Sequence, residues 1–416
     1  MKIFKIMAVV LVAMLGFTAC ENDPEHIYDD HSADLVGTWT CLTPDFVEAL
    51  VISADGKVVS TGIAAGEYWE NVNGTVATND GTITLTFEDD DNFEGHFDII
   101  PGKAFSIYND KGGHLVFNYC ANDLSDEIVG LWVCNDAPNG INNDISIISY
   151  EEDGSTTFTG ILPDSDDYMV KLNTTYKVVG DLMFKKNADQ GTSNSTKYIA
   201  TRLTYIPNGT DAGDIMVYQH YQGTEEKSSS YLRIKQNLDL VNKSYDYSNI
   251  YVTNVKAKDA EFEFAGQTLN LANMDGRILD KMMKTLLFNV SFPSADKIVY
   301  NYHYNGENVP VPSPIVVDGN KMTIKKSVNN PACKDINVWT FQDKDNTQMH
   351  MYMHVKSFEN FLANTAVEML AKEGKLDLND ASAVKTVFDN IENAIESINV
   401  SFIFKDPTRS LYERVT

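Results

Sequence analysis

The sequence predicts a mainly β protein, with two small antiparallel β-barrels in tandem followed by an α+β domain. Three observations carry this prediction: a short motif and its downstream turns occur twice, strand-length apolar segments alternate with turn residues, and helical periodicity appears only late in the chain. The predicted boundaries are residues 34–122 and 126–242 for the barrels and residues 248–406 for the third domain.

The repeat begins with VGTWTC at residues 36–41 and VGLWVC at residues 129–134. Further matches follow in the same order: Asp55-Gly56 with Asp153-Gly154, Gly62-Ile63 with Gly160-Ile161, Tyr68 with Tyr168, and Asn73 with Asn173. Ordered matches of this kind indicate a duplicated folding unit. The sequence offset between matching residues of the two units grows only slightly. The second unit is therefore expected to carry short insertions in its surface loops.

Both units have the pattern of antiparallel strands. Asp55-Gly56 lies between two strand-like segments and is a strong hairpin signal. Residues 82–88 alternate Ile83, Leu85 and Phe87 with threonines, so one face of that strand is apolar. Short strands at regular spacing predict a sandwich or a barrel, and closure of the sheet removes exposed edges.

The start of each unit, Gly37 with Trp39 and Gly130 with Trp132, resembles the Gly-x-Trp motif of lipocalins and their bacterial lipocalin-like (calycin) relatives. The resemblance implies an eight-stranded barrel whose closed end is filled by the tryptophan, with an arginine of the last strand packed across it. Arg233 stands at the matching place in the second unit. The closing stretch of the first unit has no arginine, and this short unit is expected to form an incomplete barrel. The resemblance also implies a small, often apolar ligand at the open end.

The third domain is predicted to contain strands and helices. One helix is expected at residues 277–287, a second from an N-cap at Ser357 to Gly374, and a third from Asp380 onward. A final strand is expected at residues 399–405. A divergent third lipocalin-like unit is an alternative, although the region has no Gly-x-Trp motif.

The amino terminus has the features of a lipoprotein signal peptide. Lys2 and Lys5 form a positive region before an apolar segment that is too short to span a membrane, and small residues lead into Cys20. This pattern resembles a lipobox, with Phe17 in place of the usual leucine. The resemblance implies removal of residues 1–19 and attachment of acyl chains such as palmitate to Cys20.

Residues 20–33 are polar and acidic, which predicts a flexible tether. The acidic stretch after the cysteine resembles the export signal of Bacteroidetes surface lipoproteins, and a plain spacer is the alternative. We therefore expect attachment to the outer membrane through lipidated Cys20, at the cell surface. The net charge of −26 repels nucleic acid, which is excluded as a partner.

Four cysteines follow Cys20, namely Cys41, Cys120, Cys134 and Cys333, and their spacing does not suggest a zinc site. First and last strands are neighbours in a closed barrel, so a Cys41–Cys120 disulfide is one prediction. Buried free thiols are the other.

No segment has the pattern of a catalytic or metal site. In MHMYMH at 349–354, His350 and His354 would lie about 13 Å apart on a strand, too far to share one ion. We expect the methionines to face inward and the histidines and Tyr352 outward. The acidic runs at 88–91 and 164–167 lack the spacing of a calcium loop. No catalytic motif is present, so neither an enzyme nor a cofactor is predicted.

Two functions follow from these expectations. The first is a surface lipoprotein that binds a small, possibly apolar ligand inside its barrels. The second is a structural or adhesive surface protein that binds glycan or protein and holds no internal ligand. Barrels filled by large inward-facing aromatic side chains would oppose the first function.

Overall fold

The protein forms three closed eight-stranded antiparallel barrels in tandem. The structure is a computed structural model, and it describes residues 32–88, 92–134, 146–161, 169–186, 198–209, 213–257, 261–264, 267–270, 276–304, 306–326 and 330–407. The predicted signal peptide, Cys20 and nearly all of the tether lie outside the described residues. Within the described ranges, no helix is long and apolar enough to cross a membrane.

The first barrel follows a short 3-10 helix at Ser32–Leu35. Its strands are β1 (Gly37–Leu42), β2 (Phe46–Ile52), β3 (Lys57–Ala64), β4 (Glu67–Asn79), β5 (Thr82–Phe87), β6 (Asn92–Ile100), β7 (Ala104–Tyr108) and β8 (His114–Cys120). Each strand pairs with the next, and β8 pairs back with β1. The expectation of an incomplete barrel was wrong. The sequence did not reveal β4, because its inward face is interrupted by Gly74, against which the ring of Phe87 packs.

The second barrel has the same order of strands. They are β9 (Gly130–Cys134), β10 (Ser146–Tyr150), β11 (Ser155–Ile161), β12 (Met169–Val179), β13 (Leu182–Lys186), β14 (Tyr198–Gly209), β15 (Gly213–Gln222) and β16 (Glu225–Ile234). The turn between β10 and β11 repeats a backbone bond of the turn between β2 and β3: Gly154 O accepts from Tyr176 N at 2.8 Å, as Gly56 O does from Val76 N. Asn173 lies opposite Thr157, as Asn73 lies opposite Val59. Tyr168 lies outside the described residues.

The third region is a closed eight-stranded barrel with helices. The predicted α+β domain is therefore matched only in part, and the alternative of a third barrel unit fits this strand order better. Its barrel strands are β17 (Lys243–Ala257), β20 (Leu287–Ser294), β21 (Lys297–Tyr304), β22 (Glu307–Asp318), β23 (Lys321–Ile324), β24 (Ile336–Gln342), β25 (Gln348–Met353) and β26 (Ile395–Lys405), and a hairpin of β18 (Glu261–Phe264) and β19 (Gln267–Asn270) stands apart. Closure depends on β17, which pairs with both β20 and β26. That long-range pairing leaves no local signal in the sequence.

Helices are present in this third region, as predicted: α1 (Gly276–Leu286), α2 (Val355–Lys372) and α3 (Ala381–Ala394). Asp380 caps α3, since its carboxylate accepts hydrogen bonds from Ser382 N and Ala383 N. The predicted start of α2 was wrong. His354, not Ser357, is the N-cap residue, and Ser357 is buried within the first turn.

Apolar contacts join the first two barrels side by side. Val47 and Ala49 on the outer face of β2 pack with Leu182 and Phe184 of β13 in one buried cluster. Around this cluster, the ring of Tyr68 stacks on Tyr198 with centroids 4.0 Å apart, and Lys177 Nζ lies 3.0 Å from Glu70 Oε1. Buried apolar area of this kind holds the two barrels in a fixed relation.

A second junction joins the last two barrels. Outward side chains of the second barrel, including Val133 and Leu232, pack on Trp339, Phe341 and Tyr352 of the third. Gln342, at the end of β24, fixes the linker between them. Its Nε2 donates to Asp239 O at 2.9 Å and Tyr245 Oη at 2.7 Å, and its Oε1 accepts from Asp239 N.

Substitution of Gln342 by leucine is expected to lower the free energy of unfolding by about 2 kcal/mol, because it leaves buried polar partners unsatisfied. The matched control is Thr340→Val on the same strand. Thr340 is also fully buried, but its hydroxyl has no hydrogen-bond partner among the described residues. Urea unfolding followed by circular dichroism compares the two variants. Equal stability losses would show that Gln342 does not fix the linker.

Candidate binding sites

The closed end of the second barrel is built around Trp132, which is fully buried and donates from Nε1 to Ile128 O at 2.7 Å. Arg233, opposite it on β16, places Cζ 5.6 Å from the centroid of the tryptophan ring, and its Nη2 donates to Val129 O at 2.5 Å. Gly130 has φ +134°, and a Cβ there would lie 3.2 Å from Arg233 Nε. The glycine therefore lets the guanidinium lie across the barrel floor.

The first barrel has the same floor, except that a tyrosine takes the place of the arginine. Trp39 donates from Nε1 to Leu35 O at 2.7 Å, the counterpart of the bond made by Trp132. Tyr119 stands opposite Trp39 where Arg233 stands opposite Trp132, and the two rings meet edge to face at 5.1 Å. At Gly37, with φ +141°, a Cβ would lie 2.6 Å from the Tyr119 ring. The lipocalin resemblance implies an arginine at this place and so does not point to Tyr119, whose ring makes the contact instead.

Aromatic side chains occupy the interior of the first barrel. Phe105 lies between Trp39 and Phe117, 4.9 Å from each ring centroid. The same buried cluster contains Phe46, Trp69, Phe87, Phe93 and Phe97. Rings on inward positions of nearly every strand leave this barrel with a packed core of the kind that small barrels have.

One carboxyl group is buried among these rings. Glu48, 1% exposed, accepts a hydrogen bond from Ser60 Oγ at 2.5 Å, and Ser60 in turn accepts one from Trp69 Nε1 at 2.7 Å. Burial raises the pKa of Glu48 to about 7. A single carboxyl group held by a serine and an indole is a structural network rather than an acid–base pair for catalysis.

The four described cysteines after Cys20 are free thiols, so the predicted Cys41–Cys120 disulfide was wrong. Cys120 pairs with Thr38, and Cys41 lies three residues further along β1. At strand rise this separates their Cα atoms by roughly 10 Å, beyond the reach of a disulfide. Burial, with a contribution from Glu48, raises the pKa of Cys41 to about 12, which makes the thiol unreactive.

The interior of the second barrel is more polar but also occupied. Tyr150 packs edge to face on Tyr176 at 4.8 Å, and Tyr218 stacks on Tyr231 at 4.4 Å. Lys185 places its Nζ 5.9 Å from the rings of Tyr150 and of Phe158, and burial lowers the pKa of its ammonium to about 8. The strand pairings place Lys185 where the first barrel has Leu85.

Residues 349–353 of the MHMYMH segment lie in β25, and the three methionines face the core of the third barrel as expected, whereas His354 is the N-cap residue of α2. His350 and Tyr352 face outward, but both are buried, and Tyr352 packs in the junction with the second barrel. Burial lowers the pKa of His350 to about 4, so the ring is neutral. Within the described ranges, no three His, Cys, Asp or Glu residues are placed to hold a metal ion. Of the two acidic runs, only Glu88 lies among the described residues.

The third barrel is packed by helix α2 and holds a cavity beside it. Phe361 of α2 lies 6.1 Å from the ring of Tyr300 on β21 and 5.5 Å from Phe402 on β26, so the helix bridges strands that are not neighbours. A cavity of about 180 Å³ remains between the carboxyl-terminal half of α2 and the β21–β22 hairpin. It is lined by Tyr302, Val309, Val311, Thr365, Glu368, Met369 and Lys372.

The sequence matches no protein-family model and no curated protein sequence. Among solved structures, it is similar to two mutants of the vaccine antigen transferrin binding protein B from Haemophilus parasuis Hp5, with 12% identity and TM-scores of 0.23 and 0.22. The matches cover 86% of this chain, which spans only 65% of the length of those chains.

Proposed function

We propose that this chain is a lipid-anchored surface protein that binds a protein partner on the outside of its barrels. The observation that carries the proposal is the packing of the first two barrels. Their inward positions hold stacked aromatic rings where a small ligand would have to lie. A ligand inside these two barrels, the alternative that the lipocalin resemblance implies, would have to displace that core at a cost of several kcal/mol.

A protein partner is favoured over a glycan. Glycan binding would use a platform of exposed aromatic rings, but among the side chains whose exposure the structure describes, only Tyr119 and Phe288 are large exposed aromatic residues, each 37% exposed. The adjacent aromatic residues Tyr68 and Trp69 do not form such a platform, because Tyr68 packs in the junction between barrels and Trp69 in the core. The large outer faces of a rigid stack of barrels suit a flat partner surface.

A photo-crosslinking amino acid on intact cells tests this proposal. Placed at Ile100 or Val316, which are 59% and 55% exposed, it is expected to give adducts of one discrete protein mass. The matched control position is Leu85, which is 2% exposed and faces the core. Cys20→Ala is expected to move the protein from the membrane to the soluble fraction. Lack of adducts, together with a lipid or other small molecule retained by the purified chain in native mass spectrometry, would contradict the proposal.

A further inference from the structure

The cavity of the third barrel combines apolar walls with a polar side that accepts hydrogen bonds. Val309 and Val311 of β22, Met369 of α2 and the ring of Tyr302 form the walls. Thr365 donates its hydroxyl hydrogen to Phe361 O at 2.7 Å and is also hydrogen-bonded to the side chain of Tyr302, so toward a bound molecule its oxygen acts as an acceptor only. The carboxyl group of Glu368, one turn further along α2, is a second acceptor.

We propose that this cavity binds a small organic amine, with its ammonium group on Glu368 and Thr365 and its apolar body against the valines. An ammonium carries three donors and no acceptor, so it matches this set of oxygen atoms. The site lies in the third barrel and is independent of the protein partner proposed above.

The electrostatics of the cavity favour a cationic over an anionic ligand. Burial raises the pKa of Glu368 to about 7, and the carboxyl group also adds to the raised pKa of Tyr302 beside it. An ammonium group at Glu368, which is half-buried, would favour the ionised carboxylate and so gain an ion pair that is partly shielded from water. Lys372, the one basic residue in the lining, is exposed and lies one turn beyond Glu368 on the same helix.

The volume limits the size of the ligand. A cavity of about 180 Å³ is slightly larger than the ~150 Å³ apolar cavity that accepts benzene. One six-membered ring with a short aminomethyl group is therefore of suitable size. Benzylamine, benzyl alcohol and benzoate share this size and differ in charge, so they serve as matched probes.

Ligand-observed NMR on the chain from residue 21 onward, which keeps every described residue, tests the proposal. Benzylamine is expected to bind at least tenfold more tightly than benzyl alcohol, and benzoate more weakly than either. Glu368→Gln keeps the shape of the side chain and is expected to reduce benzylamine affinity at least tenfold. Lys372→Met keeps the aliphatic stem and removes a positive charge from the lining, so it is expected to raise that affinity.

Circular dichroism of both variants verifies that the fold is retained. Lack of benzylamine binding would overturn the proposal, as would equal affinity in the Glu368→Gln variant. Preferential binding of benzoate, lost in Lys372→Met, would also overturn it and would make Lys372 the recognition group. Whatever the outcome for benzylamine, the crosslinking experiment on intact cells tests the protein partner independently.

Discussion

Replacement of Trp132 by alanine is expected to lower the free energy of unfolding by roughly 3–5 kcal/mol, the range for the loss of a large buried aromatic side chain. The ring is fully buried at the floor of the second barrel. Its removal would also leave Ile128 O without its donor and the guanidinium of Arg233 above an empty space. Both consequences add to the loss of apolar contacts.

Urea unfolding followed by far-ultraviolet circular dichroism measures this effect without depending on tryptophan fluorescence. Trp132→Phe is the matched control, because it keeps an aromatic ring but loses the Nε1 donor, and a smaller loss of about 1–2 kcal/mol is expected. Trp39→Ala should cost as much as Trp132→Ala, since the two floors are built alike. A loss below 1 kcal/mol at either position would contradict the conclusion that the floor tryptophans contribute strongly to the stability of the barrels.

Glu48→Gln is expected to make the protein more stable than wild type at neutral and alkaline pH. Burial raises the pKa of Glu48 from 4.5 to about 7, so the folded state binds a proton that the unfolded state has released over that interval. Stability of the wild type therefore falls as pH rises from about 4.5 to 7, whereas the glutamine variant has no such loss. Between pH 5 and pH 8 the difference should change by roughly 2–3 kcal/mol in favour of the variant.

Urea unfolding at several pH values provides the measurement, and Glu94→Gln is the control. Glu94 is exposed on β6, so its replacement should change stability little at any pH. Parallel pH profiles for wild type and Glu48→Gln would show that the Glu48 carboxyl group is not the source of the expected pH dependence. Glutamine also retains a carbonyl oxygen that can accept the hydrogen bond from Ser60, so the comparison isolates the charge.

The tandem barrels could be predicted because their signals are local. A glycine at positive φ before a floor tryptophan and a tight hairpin at Asp55-Gly56 both depend on residues that are close in sequence. Strand β4 was missed since its inward face carries Gly74. A third barrel was only an alternative to the predicted α+β domain, since β17 finds its partners far along the chain. Those features depend on packing between distant segments.

The sequence by itself determined the repeat, the β character of the chain and the positions of the helices, because periodicity and turn chemistry act over a few residues. Only the tertiary structure decided that the interiors are filled, that Tyr119 takes the place of Arg233, and that Cys41 and Cys120 lie too far apart to bond. It also brought Glu368 of α2 beside Val309 and Val311 of β22. Each of these outcomes depends on barrel closure, which sets the register and the distance between strands. The sequence pattern shows individual strands but not how they pair.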